Sequence, residues 1–215
     1  RFAEISSHVW LSPYGYEIRT RSVDALGNTE TDYPVRRFSV DSTPPQSFVS
    51  YPQDGESYIT ISQITGTALD DPSGINKVEV MIYAESGPQA GKYWNGTGIG
   101  WSGSSWVVTT LSLVYQTSAQ WQYTDVPSNW PPSGGAYRIW SRAIDKSDNV
   151  ETAATYIRIT ADNEPPKALI QVPQHNSGYN NSTKPITTIS GTATDDYSGI
   201  KEVRVRVQDL TNGNY

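Results

Sequence analysis

Ile64-Thr-Gly-Thr-Ala-Leu-Asp-Asp-Pro-Ser-Gly-Ile-Asn-Lys-Val-Glu-Val80 returns later in the chain as Ile189-Ser-Gly-Thr-Ala-Thr-Asp-Asp-Tyr-Ser-Gly-Ile-Lys-Glu-Val-Arg-Val205. Both copies read as strand, acidic turn, strand, and two copies this close indicate a tandem array. Each copy ends in strict alternation. Val78, Val80 and Ile82 point one way, and Lys77, Glu79 and Met81 the other. Val203, Val205 and Val207 repeat this against Glu202, Arg204 and Arg206. A period of two with one apolar face is a half-buried β-strand.

Working outward, the repeat covers almost the whole chain. Tyr16-Glu-Ile-Arg-Thr-Arg-Ser-Val23 followed by Asp24-Ala-Leu-Gly-Asn28 reads as a strand and a hairpin turn. It recurs 121 positions on as Tyr137-Arg-Ile-Trp-Ser-Arg-Ala-Ile144 and Asp145-Lys-Ser-Asp-Asn149. Glu30 and Glu151 correspond as well. The Asp41-Ser-Thr-Pro-Pro45 linker, whose prolines cannot continue a ladder, recurs as Asp162-Asn-Glu-Pro-Pro166. The opening motif is offset by 125, so the later copy carries four extra residues, expected in a surface loop from Gln174 to Lys184.

The expected organisation is therefore the last part of one repeat in residues 1–41, a complete repeat in 42–162, and the first part of another in 163–215. The complete copy reads as strands at Phe48–Tyr51, Ile64–Leu69, Ile75–Ala84, Lys92–Trp94, Trp106–Leu113, Ala119–Tyr123, Tyr137–Ile144 and Thr155–Thr160. Helical periodicity is absent. Short strands with Gly/Pro turns at this spacing indicate an all-β sandwich, with Ile64, Ala68, Val78, Val80, Ile82, Tyr137 and Ile139 facing inward.

Composition narrows the partners. The net charge is −6, the pI is near 4.9, and no basic stripe is visible, which argues against nucleic acid and anionic membrane. There is no cysteine, hence no disulfide or thiolate chemistry. No apolar run approaches the ~20 residues that span a bilayer. The chain opens Arg1-Phe2, and a mature product or an excerpt is expected.

The segments at Tyr16 and Tyr137 resemble the penultimate strand and last hairpin of fibronectin type III domains. They equally resemble bacterial immunoglobulin-like repeats, whose pattern is Tyr-x-apolar-x-x-Arg-Ala-x-Asp-x-x-Gly-Asn. The glycine of that pattern is Gly27 in one copy and Asp148 in the other, which leaves the form of the second hairpin tip open. The Pro-Pro linker and the Ile-x-Gly-Thr-Ala-x-Asp-Asp-x-Ser-Gly-Ile block are similar to tandem repeats of large secreted bacterial and archaeal surface proteins. The resemblance implies tandem Ig-like sandwiches and an extracellular, cell-surface location. It also implies that Tyr16 and Tyr137 sit at a corner where a buried hydroxyl bonds back to the backbone, so that removing the Tyr137 hydroxyl would destabilise the fold.

In that fold Asp41, Asp70, Asp71, Asp145 and Asp148 are expected to converge at one end of the complete repeat, and Asp162, Glu164, Asp195 and Asp196 at the next junction. Converging carboxylates repel unless a cation is present, and Ca²⁺ takes six to eight oxygen ligands, so junction Ca²⁺ is the candidate cofactor. The competing reading is that these aspartates only stabilise tight turns. Tyr93, Trp94, Trp101, Trp106, Trp121 and Tyr123 fall in one glycine-rich stretch. They are expected mainly to cover the sheet or a subunit contact. The glycine loop around Trp101 is the exception, and Trp94 and Trp101 are the candidates for stacking on a glycan. Asn95, Asn180 and Asn181 begin N-glycosylation tripeptides. The two histidines, His8 and His175, are not equivalent in the repeat, and no nucleophile elbow or acid/base constellation is present, so no enzyme is expected.

The leading expectation is a structural segment of an extracellular filament, stalk or surface fibre. The alternative is an adhesin or carbohydrate-binding module. The partial repeats each carry one apolar face and open edges, so both are expected to contact protein beyond this chain. Either the repeat chain continues, or copies complement one another head to tail, with Tyr14–Ile18 against a neighbour's Val203–Val207. Head plus tail lacks the aromatic middle section, which favours continuity.

Overall fold

A computed structural model describes residues 9–32, 34–103, 106–115, 117–128, 130 and 134–211. The chain is all-β. Its strands are β1 (Tyr14–Arg19), β2 (Val35–Val40), β3 (Gln46–Tyr51), β4 (Ser57–Tyr58), β5 (Ile64–Leu69), β6 (Ile75–Ala84), β7 (Tyr93–Trp94) and β8 (Trp101–Ser102). They continue with β9 (Val107–Val108), β10 (Thr110–Val114), β11 (Ser118–Tyr123), β12 (Gly135–Asp145), β13 (Tyr156–Ala161), β14 (Lys167–Val172) and β15 (Ser190–Thr194). No helix occurs among the described residues.

Between the two linkers lie two sheets. One runs β10-β11-β5-β3. The other runs β4-β13-β12-β6-β7-β8, with β9 also on β6. Their inner faces meet in one core, an arrangement consistent with a β-sandwich. All seven residues expected inward, Ile64, Ala68, Val78, Val80, Ile82, Tyr137 and Ile139, are fully buried there. Three tryptophans join them, each with its indole N–H placed: Trp121 on the Thr67 carbonyl at 3.1 Å, Trp130 on Ile61 at 2.8 Å and Trp94 on Asp125 at 2.6 Å. The glycine of the quoted motif has a steric reason. A Cβ on Gly66 would stand 2.0 Å from the Phe48 carbonyl oxygen and 2.3 Å from the Trp121 ring. At the equivalent Gly191 it would stand 2.0 Å from the Leu169 oxygen.

Three details depart from the expected strands. The segment Trp106–Leu113 is split into β9 and β10, because Val107–Val108 pair with β6 while Thr110–Val114 pair with β11 in the other sheet. The two-residue strands β4 and β8 are too short for alternation to show. Glu79 lies on the outer face, as its register requires, yet is buried. Lys77 and Arg142 hold it by ion pairs of 2.8 and 2.7 Å, and the Arg142 guanidinium lies 4.3 Å over the Trp106 ring. Burial opposes ionisation of Glu79, but the bonds to Lys77 and Arg142 outweigh it and hold its carboxyl below the usual glutamate range.

A tyrosine corner forms where Tyr16 predicts one. The Tyr16 hydroxyl accepts from the Leu11 N–H at 2.7 Å and donates to the Leu11 carbonyl at 3.1 Å. Tyr137 does not follow: its ring is buried against Trp130 and Trp101, and its hydroxyl has no hydrogen-bond partner among the described residues. Burial pushes its phenol well above the ordinary value. The expected corner at Tyr137 is thus corrected. The same five-residue latch is made instead by Tyr58, which accepts from Gln53 N–H, and by Tyr179, which accepts from Gln174 N–H, both at 2.8 Å. These residues are themselves 121 apart, which confines the extra residues of the later copy to the segment after Tyr179. There Asn180 and Lys184 exchange two backbone hydrogen bonds, 2.9 and 3.0 Å, in a tight turn.

Outside the two linkers the described residues form one strand pair on each side: β1 pairs β2, and β14 pairs β15. The expected strand at Val203–Val207 is not formed; residues 201–208 carry no regular secondary structure, and no described residue pairs with them as a strand. Its counterpart β6 is held by β12, β7 and β9, and a strand needs such neighbours to satisfy its backbone. Val203, Val205 and Val207 are accordingly 58, 59 and 65 % exposed.

Three outcomes are expected for the 215-residue chain. Gly66→Ala should lower stability by about 3 kcal/mol in a denaturant melt, since the clash is with backbone and a packed ring. Tyr137→Phe should leave the melting midpoint unchanged or raise it, because it removes a buried hydroxyl that lacks a partner; a clear fall would reveal a hidden acceptor. Hydrogen exchange should find Ile75–Ala84 strongly protected and residues 201–208 unprotected.

Candidate functional site

The linker enters the middle repeat beside two turns, and each brings one carboxylate. Asp70 directly follows β5 and organises the turn to β6. Its Oδ2 accepts from Gly74 N–H at 2.7 Å and from the Ser73 hydroxyl at 3.0 Å, with Gly74 in the left-handed region at φ 78°. Asp145 ends β12. Its Oδ1 accepts from Ser147 and Asn149 N–H, both at 2.8 Å, and its Oδ2 from the Asn149 amide at 2.7 Å. Asp41, on the linker, accepts from Thr43 N–H at 2.9 Å and reaches across to Ser73 N–H at 3.2 Å. The Asn149 amide also donates to the Asp41 carbonyl at 3.1 Å.

These contacts bring one carboxylate oxygen of Asp41, Asp70 and Asp145 within 4.8 Å of one another. The residues are 9, 7 and 0 % exposed. No ion pair among the described residues involves any of them. Burial pushes the Asp70 carboxyl up; the Ser73 and Gly74 bonds oppose this, and the neighbouring Asp41 and Asp145 charges add to the rise. For Asp41 burial acts in the same direction, but bonds from Thr43 and Ser73 outweigh it and hold the group below the usual range. The second oxygen of Asp70, Oδ1, is buried and has no hydrogen-bond partner. Asp71 and Asp148, expected in the same cluster, are exposed on the turns and stand outside the trio.

The hairpin tip keeps its form despite the loss of glycine. Asp148 adopts φ 66°, where Gly27 has 90°. Asp24 accepts from Asn28 N–H at 2.8 Å and from the Asn28 amide at 2.7 Å, as Asp145 does from Asn149. An acidic side chain tolerates this region better than most.

At the second junction the linker contacts recur. Asp162 accepts from Glu164 N–H and Ser198 N–H, both at 3.0 Å, and Asp195 accepts from Gly199 N–H at 2.7 Å. Asp162 is buried, Asp195 half-buried and Asp196 exposed. No third described carboxylate joins Asp162 and Asp195 in a cluster. The tip of this turn carries Tyr197, whose ring lies against Gly134 of the middle repeat; a Cβ there would stand 2.6 Å from it.

The aromatics distribute differently from the expected loop. Trp94 is buried, and Trp101 packs half-buried against the core, tilted over Trp94 and Tyr137 at 5.6 and 5.7 Å. Burial closes Trp94 to a glycan, while Trp101 stays partly exposed. An aromatic row of which the sequence alone singled out only Tyr93 crosses the outer face of the larger sheet: Tyr93, Tyr83, Trp140 and Tyr156, with centroids 4.9, 6.5 and 5.2 Å apart. Its signal was available in the outward positions of β6 and β12, but it required the strand order. The rings are mutually tilted by 44–61°, and Arg138 lies 4.8 Å over Tyr156.

Among the glycosylation candidates, Asn180 and Asn181 are exposed on the tight turn. Asn95 is half-buried, and its amide nitrogen is committed to Tyr93 O, Ser102 Oγ and Gly103 O. His175 is exposed beside an open groove of about 650 Å³ lined by Ile170, Ile186, Ile189 and Val205. That groove corresponds to the filled core around Ile61, Ile64 and Val80 in the middle repeat. His8 lies outside the described residues. No family model and no curated protein matches the chain.

Proposed function

We propose that this chain is a structural segment of an extracellular stalk, fibre or surface filament built from tandem Ig-like, fibronectin type III-like sandwiches. On this reading residues 1–41, 42–162 and 163–215 belong to successive repeats. The observation that carries it is the repeated junction. Asp41 bonds Thr43 and Ser73, and Asp162 bonds Glu164 and Ser198, so each linker is tied to the acidic turn of the repeat it enters. A junction used twice in the same way propagates a rod. Surface chemistry supports the reading too. Ile139, Val80 and Ile82 are buried in the middle repeat, while their counterparts Ile18, Val205 and Val207 are exposed faces for a continuing chain or a neighbouring copy.

The second reading, an adhesin or carbohydrate-binding module, draws on the outer row of Tyr83, Tyr93, Trp140 and Tyr156. Its tilted rings and the arginine over Tyr156 fit a sugar face less well than a coplanar row would, so the structural reading is preferred.

Electron microscopy of the native material tests this directly. Rods or filaments with a repeating bead of sandwich size are expected. Compact single particles would overturn the structural reading, and loss of glycan binding in Trp140→Ala would establish the second.

A further inference from the structure

We propose that Asp41, Asp70 and Asp145 form a divalent-cation site that takes Ca²⁺, placed where the linker enters the middle repeat. The proposal stands on the geometry of this one pole and goes beyond the assembly reading.

Three segments distant in sequence each deliver a carboxylate to the same point, within 4.8 Å, in a largely buried position. Turn chemistry does not account for the convergence. Asp70 stabilises its turn through Oδ2 alone, and Asp195 does the same work at the second junction with no carboxylate cluster around it. What remains unexplained at the first pole is Oδ1 of Asp70: a buried oxygen with no donor among the described residues, on a carboxylate grouped with two others and with no lysine or arginine paired to any of the three among those residues. Such an oxygen is strongly disfavoured unless a cation meets it.

The donor set selects the ion. All three ligands are carboxylate oxygens, with no histidine or cysteine, which suits a hard cation. Ca²⁺ binds oxygens at roughly 2.3–2.6 Å in flexible geometry, so three oxygens spread over this distance can share one ion. Its remaining positions are open to water, as Ca²⁺ requires six to eight ligands. Mg²⁺ demands closer, near-octahedral ligands. Because Asp41 belongs to the linker and the other two to the sandwich, the bound ion would clamp the linker to the pole.

Thermal melts of the whole 215-residue chain in EDTA and in increasing Ca²⁺ test the site. A native-state ligand at about 100 times its Kd should raise the midpoint on the order of 5–10 °C. Asp70→Asn should remove that shift and raise the midpoint in EDTA, because the amide adds donors and removes a charge. A residue needed only for its turn would lower the midpoint. Asp41→Asn, on the linker outside the core, should remove the shift as well, and keeps the test valid if Asp70→Asn does not fold. Asp195→Asn should keep it. Superimposed melts with Ca²⁺ and EDTA, or a shift that survives both Asp70→Asn and Asp41→Asn, would overturn the proposal. An equal shift with Mg²⁺ would overturn the choice of ion.

Discussion

The ladder between β6 and β12 is the interaction on which the rest of the structure depends. It runs from Tyr137 opposite Ala84 to Asp145 opposite Ile75, and it sets both faces of the larger sheet. Inward, it aligns Val78, Val80 and Ile82 with Ala143, Ser141 and Ile139 against the β5–β11 sheet. Outward, it sets Arg142 beside Glu79, so that a glutamate can be buried without being left unpaired. At its end, a register shift between Ile144 and Asp145 brings Asp145 to the pole. The contrast with residues 201–208 shows the dependence. The same alternation, without a partner strand among the described residues, leaves its valines in solvent and forms no strand.

At the pole, turn chemistry acts at three places but does not by itself account for their convergence. Asp70 and Asp145 each fold their own loop through nearby N–H groups, and Asp41 does the same on the linker before reaching Ser73. Apart from the bond from Ser73 to Asp41, these bonds are local. Their sum is not: two strand ends and a linker deliver three buried charges to one point. The turn that binds the linker also presents Pro72 at one junction and Tyr197 at the other toward the preceding repeat. Linker geometry and contact between repeats are therefore set by the same few residues.

The tyrosine latches illustrate how one local solution is reused and once abandoned. Tyr16, Tyr58 and Tyr179 each accept an N–H five residues back, closing a short loop against the end of a strand. Tyr137 occupies the position equivalent to Tyr16, and both rings are packed by aromatics: Tyr137 against Trp101 and Trp130, Tyr16 against Trp10 at 4.9 Å and Phe38 at 5.4 Å. Only Tyr16 keeps the latch; the Tyr137 hydroxyl is buried without a partner among the described residues.

Much was legible from residues alone. Alternation at Val78–Ile82 and Tyr137–Ile139 determined which side chains are inside, because a pleated strand admits only two faces. The 121-residue correspondence placed the linkers and hairpins, and the 125-residue one the acidic turns. Tertiary structure decided the rest. That Asp41, Asp70 and Asp145 meet while Asp71 and Asp148 point away depends on the direction of neighbouring side chains in two turns, and spacing along the chain does not carry that information. That Trp94 is core and Trp140 belongs to an outer row depends on strand order. That Val203–Val207 is no strand depends on a partner, since the sequence states a preference for pairing and only a neighbouring strand can satisfy its backbone.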